Sequence, residues 1–428
     1  MKVFLNLLVI SIIIFSLGCT TKVDIPQELT DNYPRSVQFS VENKGDFLKK
    51  DALISIEVQD IKQKAADFNS KAYVIVSEGQ ELPSQMNDVN GNGEMDRLYI
   101  LCDFSPGEKK IFYLLYAETG ELSRTYQRRT QAELSHKFGG KFITNNEGRP
   151  EYLGGEFKNV SYLRVPDQHT DHTFFIRYEG PGWESDRIGY RFYLDWRNAI
   201  DIFGKKIPDM VLQNVGQDGF ESYHEMSDWG MDILKVGDAL GIGAMGMWYG
   251  GKVERVSKTD SVTCTIIADG PVQSQIRTNY FGWKVDDGKF DLQSDLSISA
   301  GSRLTKHLLK ISGEPANLCT GIVKHEGTNL IQSPQDVSGW CYLATYGKQS
   351  LADDNLGMAI FYKKENLLNI AEDVNNQVIV LKPMDGKLKY YFLGAWEKEP
   401  GGIQTEEQFK IYLEEVKKEL DSPLQIIF

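Results

Sequence analysis

From Val37 onward the chain is written in short apolar stretches whose side chains alternate every second residue, each closed by glycine, asparagine, aspartate or proline. Val37-Gln-Phe-Ser-Val41, Leu53–Val58, Tyr73–Val76, Leu98–Cys102 and Ile111–Tyr116 form a first series. Lys252–Ser257, Ser261–Ala268, Gln273–Val285, Phe290–Ser299 and Leu304–Ile311 form a second, longer one, continued by Trp340–Tyr346, Met358–Tyr362, Val378–Lys382 and Lys387–Trp396. Period-2 alternation over such lengths specifies strands with one face towards a core, and turn-rich breaks favour antiparallel neighbours over crossovers. The expected fold is therefore mainly β, a large antiparallel two-sheet sandwich behind a smaller N-terminal β-sandwich. A polar segment, 118–150, reads as the link between them. Helical spacing appears only at the end, where Thr405 and Gln408 make a capping box. Phe409, Tyr412, Leu413, Val416 and Leu420 mark one face there.

The first residues read differently. Lys2 precedes an apolar run, Val3–Leu17, and then Gly18-Cys19. A basic start, a short hydrophobic segment and a small residue before the cut form an export signal, too short for a spanning helix. Cysteine directly after Leu17-Gly18 resembles a bacterial lipoprotein box, with Ser16 where leucine is usual. The expected organisation is a signal peptide over 1–18, a tether over 19–29 lipidated at Cys19, a β-domain over 30–120 and the large sandwich over 121–428. An ordinary secretory signal with an incidental cysteine is the other reading. Either places the protein in the cell envelope, periplasmic or on the outer-membrane surface, where Cys102, Cys264, Cys319 and Cys341 could form one or two disulfides. A net charge of −13 argues against nucleic acid as a partner.

Asp88, Asn90, Asn92 and Asp96 offer side-chain oxygens at the first, third, fifth and ninth positions of a glycine-rich loop, a spacing that suits a structural calcium ion. Tyr99 stands where an EF-hand needs its bidentate glutamate, and Asn-Gly turns need no metal, so both readings stand. No other cofactor is required.

Chemistry-bearing residues crowd into 177–254. As a short helix, Ser222-Tyr-His-Glu-Met-Ser-Asp228 would put His224 and Asp228 on one face, the arrangement of a general base with an orienting carboxylate. A structural histidine fits the same pattern. Tyr223 could be the partner acid. Alternation along 187–194 places Arg187, Arg191 and Tyr193 on one face, where the two arginines could clamp a substrate carboxylate or pair with Glu184 and Asp195. Trp183 and Trp229 offer stacking surfaces. His169 and His172, ahead of an expected strand over Phe174–Tyr178, could contact an anionic sugar. There is no GxSxG elbow, P-loop, dinucleotide fingerprint or HExxH helix.

Gly182-Trp-Glu-Ser-Asp-Arg187, Asp195-Trp-Arg-Asn-Ala-Ile-Asp-Ile-Phe-Gly204, Ser222-Tyr-His-Glu-Met-Ser-Asp-Trp-Gly-Met-Asp232 and the Asp88–Asp96 loop followed by Leu98 carry a resemblance. Over most of its length the chain resembles a family of exported bacterial proteins, known as a domain of unknown function, that accompany polysaccharide-degrading enzymes. The resemblance implies a supersandwich of the galactose-mutarotase type. It also implies an activity like that of a member resembling a dehydratase of uronate-ended oligosaccharides in ulvan degradation. Such a lyase removes the C5 proton of the non-reducing-end uronic acid and expels the C4 hydroxyl. The residues that meet those needs are His224 oriented by Asp228 as base, Arg187 and Arg191 on the carboxylate, Tyr223 or Glu184 as acid, and Trp183 and Trp229 on the sugar faces. A non-catalytic glycan-binding lipoprotein, and an epimerase or glycoside hydrolase using Glu184 and Asp228 as paired carboxylates, remain the alternatives.

Overall fold

The computed structural model describes residues 25–219, 221–334 and 338–428. The expected export signal and Cys19 lie outside them, and no helix of the described residues is long and apolar enough to cross a membrane. The fold is mainly β, as the alternation requires. Its centre is a nine-stranded sheet built on the long strands Gln273–Val285, Gly288–Ser299, Thr305–Ile311, Lys387–Trp396 and Asn355–Lys363. Neighbouring strands pair antiparallel. Two five-stranded sheets cover one face of it. One contains Gly182–Ser185, Ile188–Phe192, Ile200–Lys205 and Gly230–Asp232; the other is built around Ile242–Tyr249, Leu318–Val323 and Asn376–Leu381.

Alternation decides which side chains meet. Leu343, Met358, Ile360, Tyr390 and Phe392 point into the shared core with Ile188, Tyr190, Ile202, Ile322 and Ile379. Their sequence neighbours Tyr342, Ala344, Ala359, Phe361 and Leu393 point the other way. That outer face is covered by the C-terminal helix Glu406–Asp421 through Phe409, Leu413 and Val416. Thr405 caps it by accepting from the Gln408 amide, while the Gln408 side chain reaches back to the Gln404 amide. The helix lies so close that a Cβ on Gly357 would stand 2.6 Å from the Phe409 ring.

The N-terminal sandwich packs Val37, Phe39 and Val41 against Ile54, Ile56, Leu98 and Ile100. A short helix, Val58–Lys64, closes one end where the sequence signals only the end of a strand. The last strand of the chain, Gln425–Ile427, returns to pair with the first, Arg35–Glu42. Polar bonds join this unit to the large sheet. Gln85 both donates to and accepts from the backbone of Gln273, and Arg129 bridges Asp51 and Asp186.

Two expectations change here. The 118–150 link is largely structured, with Thr130–Glu133 adding to the sheet of Gly182–Ser185 and Ser135–Phe138 pairing with Glu156–Asn159. The four described cysteines are free rather than disulfide-bonded, and burial pushes Cys264 up to about 12. In the Asp88 loop, both Asp88 carboxylate oxygens accept amides of Gly91, Asn92 and Gly93, and Asp96 accepts those of Val89 and Asn90. Asn90 and Asn92 likewise accept from Asn92 and Glu94. Each of these oxygens thus accepts a backbone amide that closes the turn and keeps a second lone pair, so the calcium and plain-turn readings both stand.

Candidate functional site

Ile188–Phe192 is buried on both faces. Ile188, Tyr190 and Phe192 join the core. Arg191 points the other way, under a cover of irregular chain between Lys205 and Gly230. A guanidinium there requires carboxylates, and neighbouring strands deliver them. Asp201 stands directly opposite Arg191 in the ladder, and Asp232 lies on the next strand. Arg191 donates to Asp201 and to Asp232, both at 2.7 Å, and to the hydroxyls of Tyr193 and Tyr223, both at 2.8 Å. Burial and the adjacent Asp232 carboxylate push Asp201 up to about 7. Because the folded carboxyl then holds its proton more tightly than the unfolded one, its stabilisation is complete below about pH 4 and is lost as pH rises towards 7. Across that window the Tm of the wild type should fall more steeply than that of Asp201→Asn. Parallel curves would remove Asp201 as the cause.

His224 ends a 3-10 turn, Ser222–His224, that leaves directly into extended chain. The helix expected there does not form, so Asp228 is not brought beneath the imidazole. Asp232 takes that place, with Oδ2 3.3 Å from His224 Nε2. The His224 ring lies 4.6 Å from that of Tyr223. Tyr223 is buried, and burial pushes its phenol up to about 12, so it keeps its proton at neutral pH.

A second arginine adjoins this network. Arg197 holds Asp195 at 2.5 Å, Asp171 at 2.7 Å and Glu179 at 2.8 Å, and lies 4.0 Å above the Tyr193 ring. Burial alone would raise the Glu179 carboxyl; Arg197, followed by Arg191, outweighs it and holds the group below its ordinary value. Asp171 also receives His172 Nδ1 at 2.5 Å. His172, Phe174, Tyr178 and Glu179 all adopt positive φ, although none is glycine. Such strain persists where surrounding structure over-determines it, and it collects at working sites.

Glu179 borders a cleft of about 600 Å³. Its walls include Lys137, in the segment that the sequence reads as a linker, and Phe157 on the strand paired with it, together with Phe174, Tyr178 and the Gly216–Gly219 loop. Lys137 Nζ sits 5.2 Å over the Phe157 ring. Gly216 joins the cleft to the Arg191 network, since a Cβ there would touch the rings of Tyr178 and Tyr223 at 3.4 Å.

Several expected site residues lie elsewhere. Glu184 is fully buried, paired with Lys205 at 2.5 Å and accepting the amides of Val211 and Leu212, so it is structural rather than an acid. Trp183 is core, not a sugar platform; it stacks on Tyr190 and donates to Thr305. Trp229 is half-buried and packs edge-on against Phe203. Arg187 donates to the Pro400 carbonyl, away from Arg191, so the two form no clamp. Arg191 is committed to its own carboxylates. The strand expected over Phe174–Tyr178 is a 3-10 turn, Arg177–Glu179. His169 is buried on Thr173 while His172 is exposed, so the pair does not act as a unit. The groups that sequence missed are Glu179, Arg197, Asp171 and Lys137.

The family model described as Domain of unknown function (DUF4861) matches residues 41–426. The chain belongs to that family. The chain is also similar to an uncharacterized protein P7 of Formosa agariphila, 22% identical over 417 residues, covering 90% of this chain and 92% of the relative. Among solved structures, this chain is similar to an alpha-mannosidase of Enterococcus faecalis, with TM-score 0.43, 10% identity and 91% of this chain covered. A second structure from that organism, a protein in glycosyl hydrolase family 38, gives TM-score 0.42 at 10% identity. This chain spans about half the length of those two, 46% and 47%.

Proposed function

We propose that this protein is a carbohydrate-active lyase that eliminates water from the non-reducing-end uronic acid of an oligosaccharide, in the manner of an ulvan-oligosaccharide dehydratase. The observation that supports it is a histidine oriented by a buried carboxylate, His224 on Asp232. It stands beside a protonated tyrosine that packs behind Gly216, a residue lining the cleft that holds Lys137 among aromatic rings. In this reading His224 takes the C5 proton, with Asp232 fixing its tautomer and favouring the imidazolium that forms. Lys137 supplies the positive charge for the uronate carboxylate that Arg187 and Arg191 cannot. Tyr223 accepts from Arg191, which leaves its own hydroxyl proton to give to the departing C4 oxygen. Phe157 and Phe174 face the apolar side of the sugar. The reaction asks for no cofactor, and the Asp88 loop is at most a structural calcium site.

The sequence of residues 1–19 supports export and lipid attachment at Cys19, which would hold the enzyme in the cell envelope without a nucleic-acid partner. The test is incubation with glucuronate-ended oligosaccharides, followed by ultraviolet absorbance and mass spectrometry. Loss of one water with appearance of a 4,5-unsaturated uronate is expected. Saturable binding with no mass change would make this a glycan-binding lipoprotein. Gain of water on cleavage would make it a hydrolase.

A further inference from the structure

A second concave site lies on the edge strand Lys252–Arg255, outside the residues that the elimination uses. It encloses about 230 Å³ between that strand and the turn over 373–376, with Asp238, Val253, Arg255, Val374 and Asn375 on its walls. Lys252 at its rim is held by Glu254 at 2.9 Å. Arg255 is the anomaly. Its side chain is half-buried, and Nη1 is buried with no hydrogen-bond partner among the described residues. A charged donor taken out of water normally meets a carboxylate, and one that does not calls for an explanation. The nearby carboxylates are committed elsewhere. Asp195 is held by Arg197, and Asp373 accepts the amides of Val253, Asn375 and Asn376. Asp238 acts on Arg255 through space but forms no ion pair with it. Burial outweighs these charges and pulls Arg255 below the ordinary arginine value.

The second observation is aromatic. Of the seven tryptophans, Trp196 alone is exposed, at 42%. Arg255 lies over its ring, with Cζ 4.9 Å from the ring centre. The turn that carries Trp196 also carries Asp195 and Arg197, and Arg197 holds Glu179 on the wall of the larger cleft. This one turn therefore borders both concave sites.

We propose that Arg255 and Trp196 form a second subsite, one that binds an acidic sugar residue through its carboxylate or sulfate group. The planar fork of a guanidinium matches either oxyanion in a bidentate pair, a geometry that an ammonium lacks. The exposed indole offers a surface for the apolar face of the sugar ring. Asp238 and Asn375 supply an acceptor and a donor for its hydroxyls, the few convergent polar groups that fix orientation in such a site. The inference rests on reading the ligand as a glycan and not on the elimination.

The test is equilibrium binding to the full chain, followed by intrinsic fluorescence and ligand-observed NMR, with glucuronate, a sulfated glucose, glucose and inorganic sulfate as probes. A Lys137→Ala background removes the lysine of the larger cleft. At least one acidic sugar should bind there about tenfold or more tightly than glucose, the scale of one charge-assisted hydrogen bond. Arg255→Met should erase that preference and keep the Tm, because the guanidinium has no partner to lose. Trp196→Ala should weaken the same sugar. Preference abolished by Lys137→Ala alone would put the acidic sugar in the larger cleft and overturn the subsite. An unchanged preference in Arg255→Met, equal binding of inorganic sulfate, or a collapse of the Tm in Arg255→Met that reveals a structural partner would overturn it too. Acidic-sugar binding that depends on Arg255, with no water lost from any oligosaccharide, would leave the subsite standing and remove the lyase reading.

Discussion

Replacing Lys205 with methionine is expected to lower the unfolding free energy by about 3–5 kcal/mol, the cost of leaving a buried charge without its partner. Both Lys205 and Glu184 side chains are fully buried. Lys205 Nζ also donates to the Ser185 carbonyl, and Glu184 keeps only the amides of Val211 and Leu212 once the ammonium is gone. Those two amides begin the cover over Arg191, so the loss should loosen the site as well as the sheet. Urea titration measures it as a lower midpoint at unchanged slope. Lys205→Met/Glu184→Leu should recover much of the loss, because an apolar pair of similar shape removes both charges together. A single-variant cost below about 1 kcal/mol would mean that water reaches the pair, against its burial.

His224→Ala is expected to lower kcat of the proposed elimination by about 10²–10⁴, the range that a positioned general base contributes. The side chain is 37% exposed, so its removal should shift stability by no more than about 0.5 kcal/mol. That contrast separates it from Asp232→Asn, which would slow the reaction and also strip a carboxylate from the buried Arg191. Undiminished turnover in His224→Ala would assign the base to another residue.

What the sequence made legible follows from which interactions are local. Period-2 alternation found the long strands, and the Thr405–Gln408 box found the terminal helix, because each pattern is complete within one element. Arg191 was legible as a polar residue on an otherwise apolar strand. Its partners were not, since Asp201 and Asp232 meet it only through strand pairing. His224 was legible by its company, yet a 3-10 turn replaced the helix that would have offered Asp228. Trp183 and Glu184 were misread for one reason. Polar and aromatic density looks like a cleft, but here a second layer of chain covers the strand and turns that density into interior. Lys137 carried no signal, because short strands rich in charge and glycine resemble a linker, and Phe157 meets it only through strand pairing.

The pairing of Gln425–Ile427 with Arg35–Glu42 sets the order in which this protein can be finished. Arg35–Glu42 is made long before Gln425–Ile427, so that edge of the N-terminal sheet stays unpaired while the residues between them are synthesised. Nearly the whole chain must be in place before that edge closes, the slowest kind of contact to form. Until then the strand is open to pairing with a second nascent chain. A holding chaperone would have most to do at this edge, and clipping the final residues would leave a folded large sandwich with a permanently adhesive front.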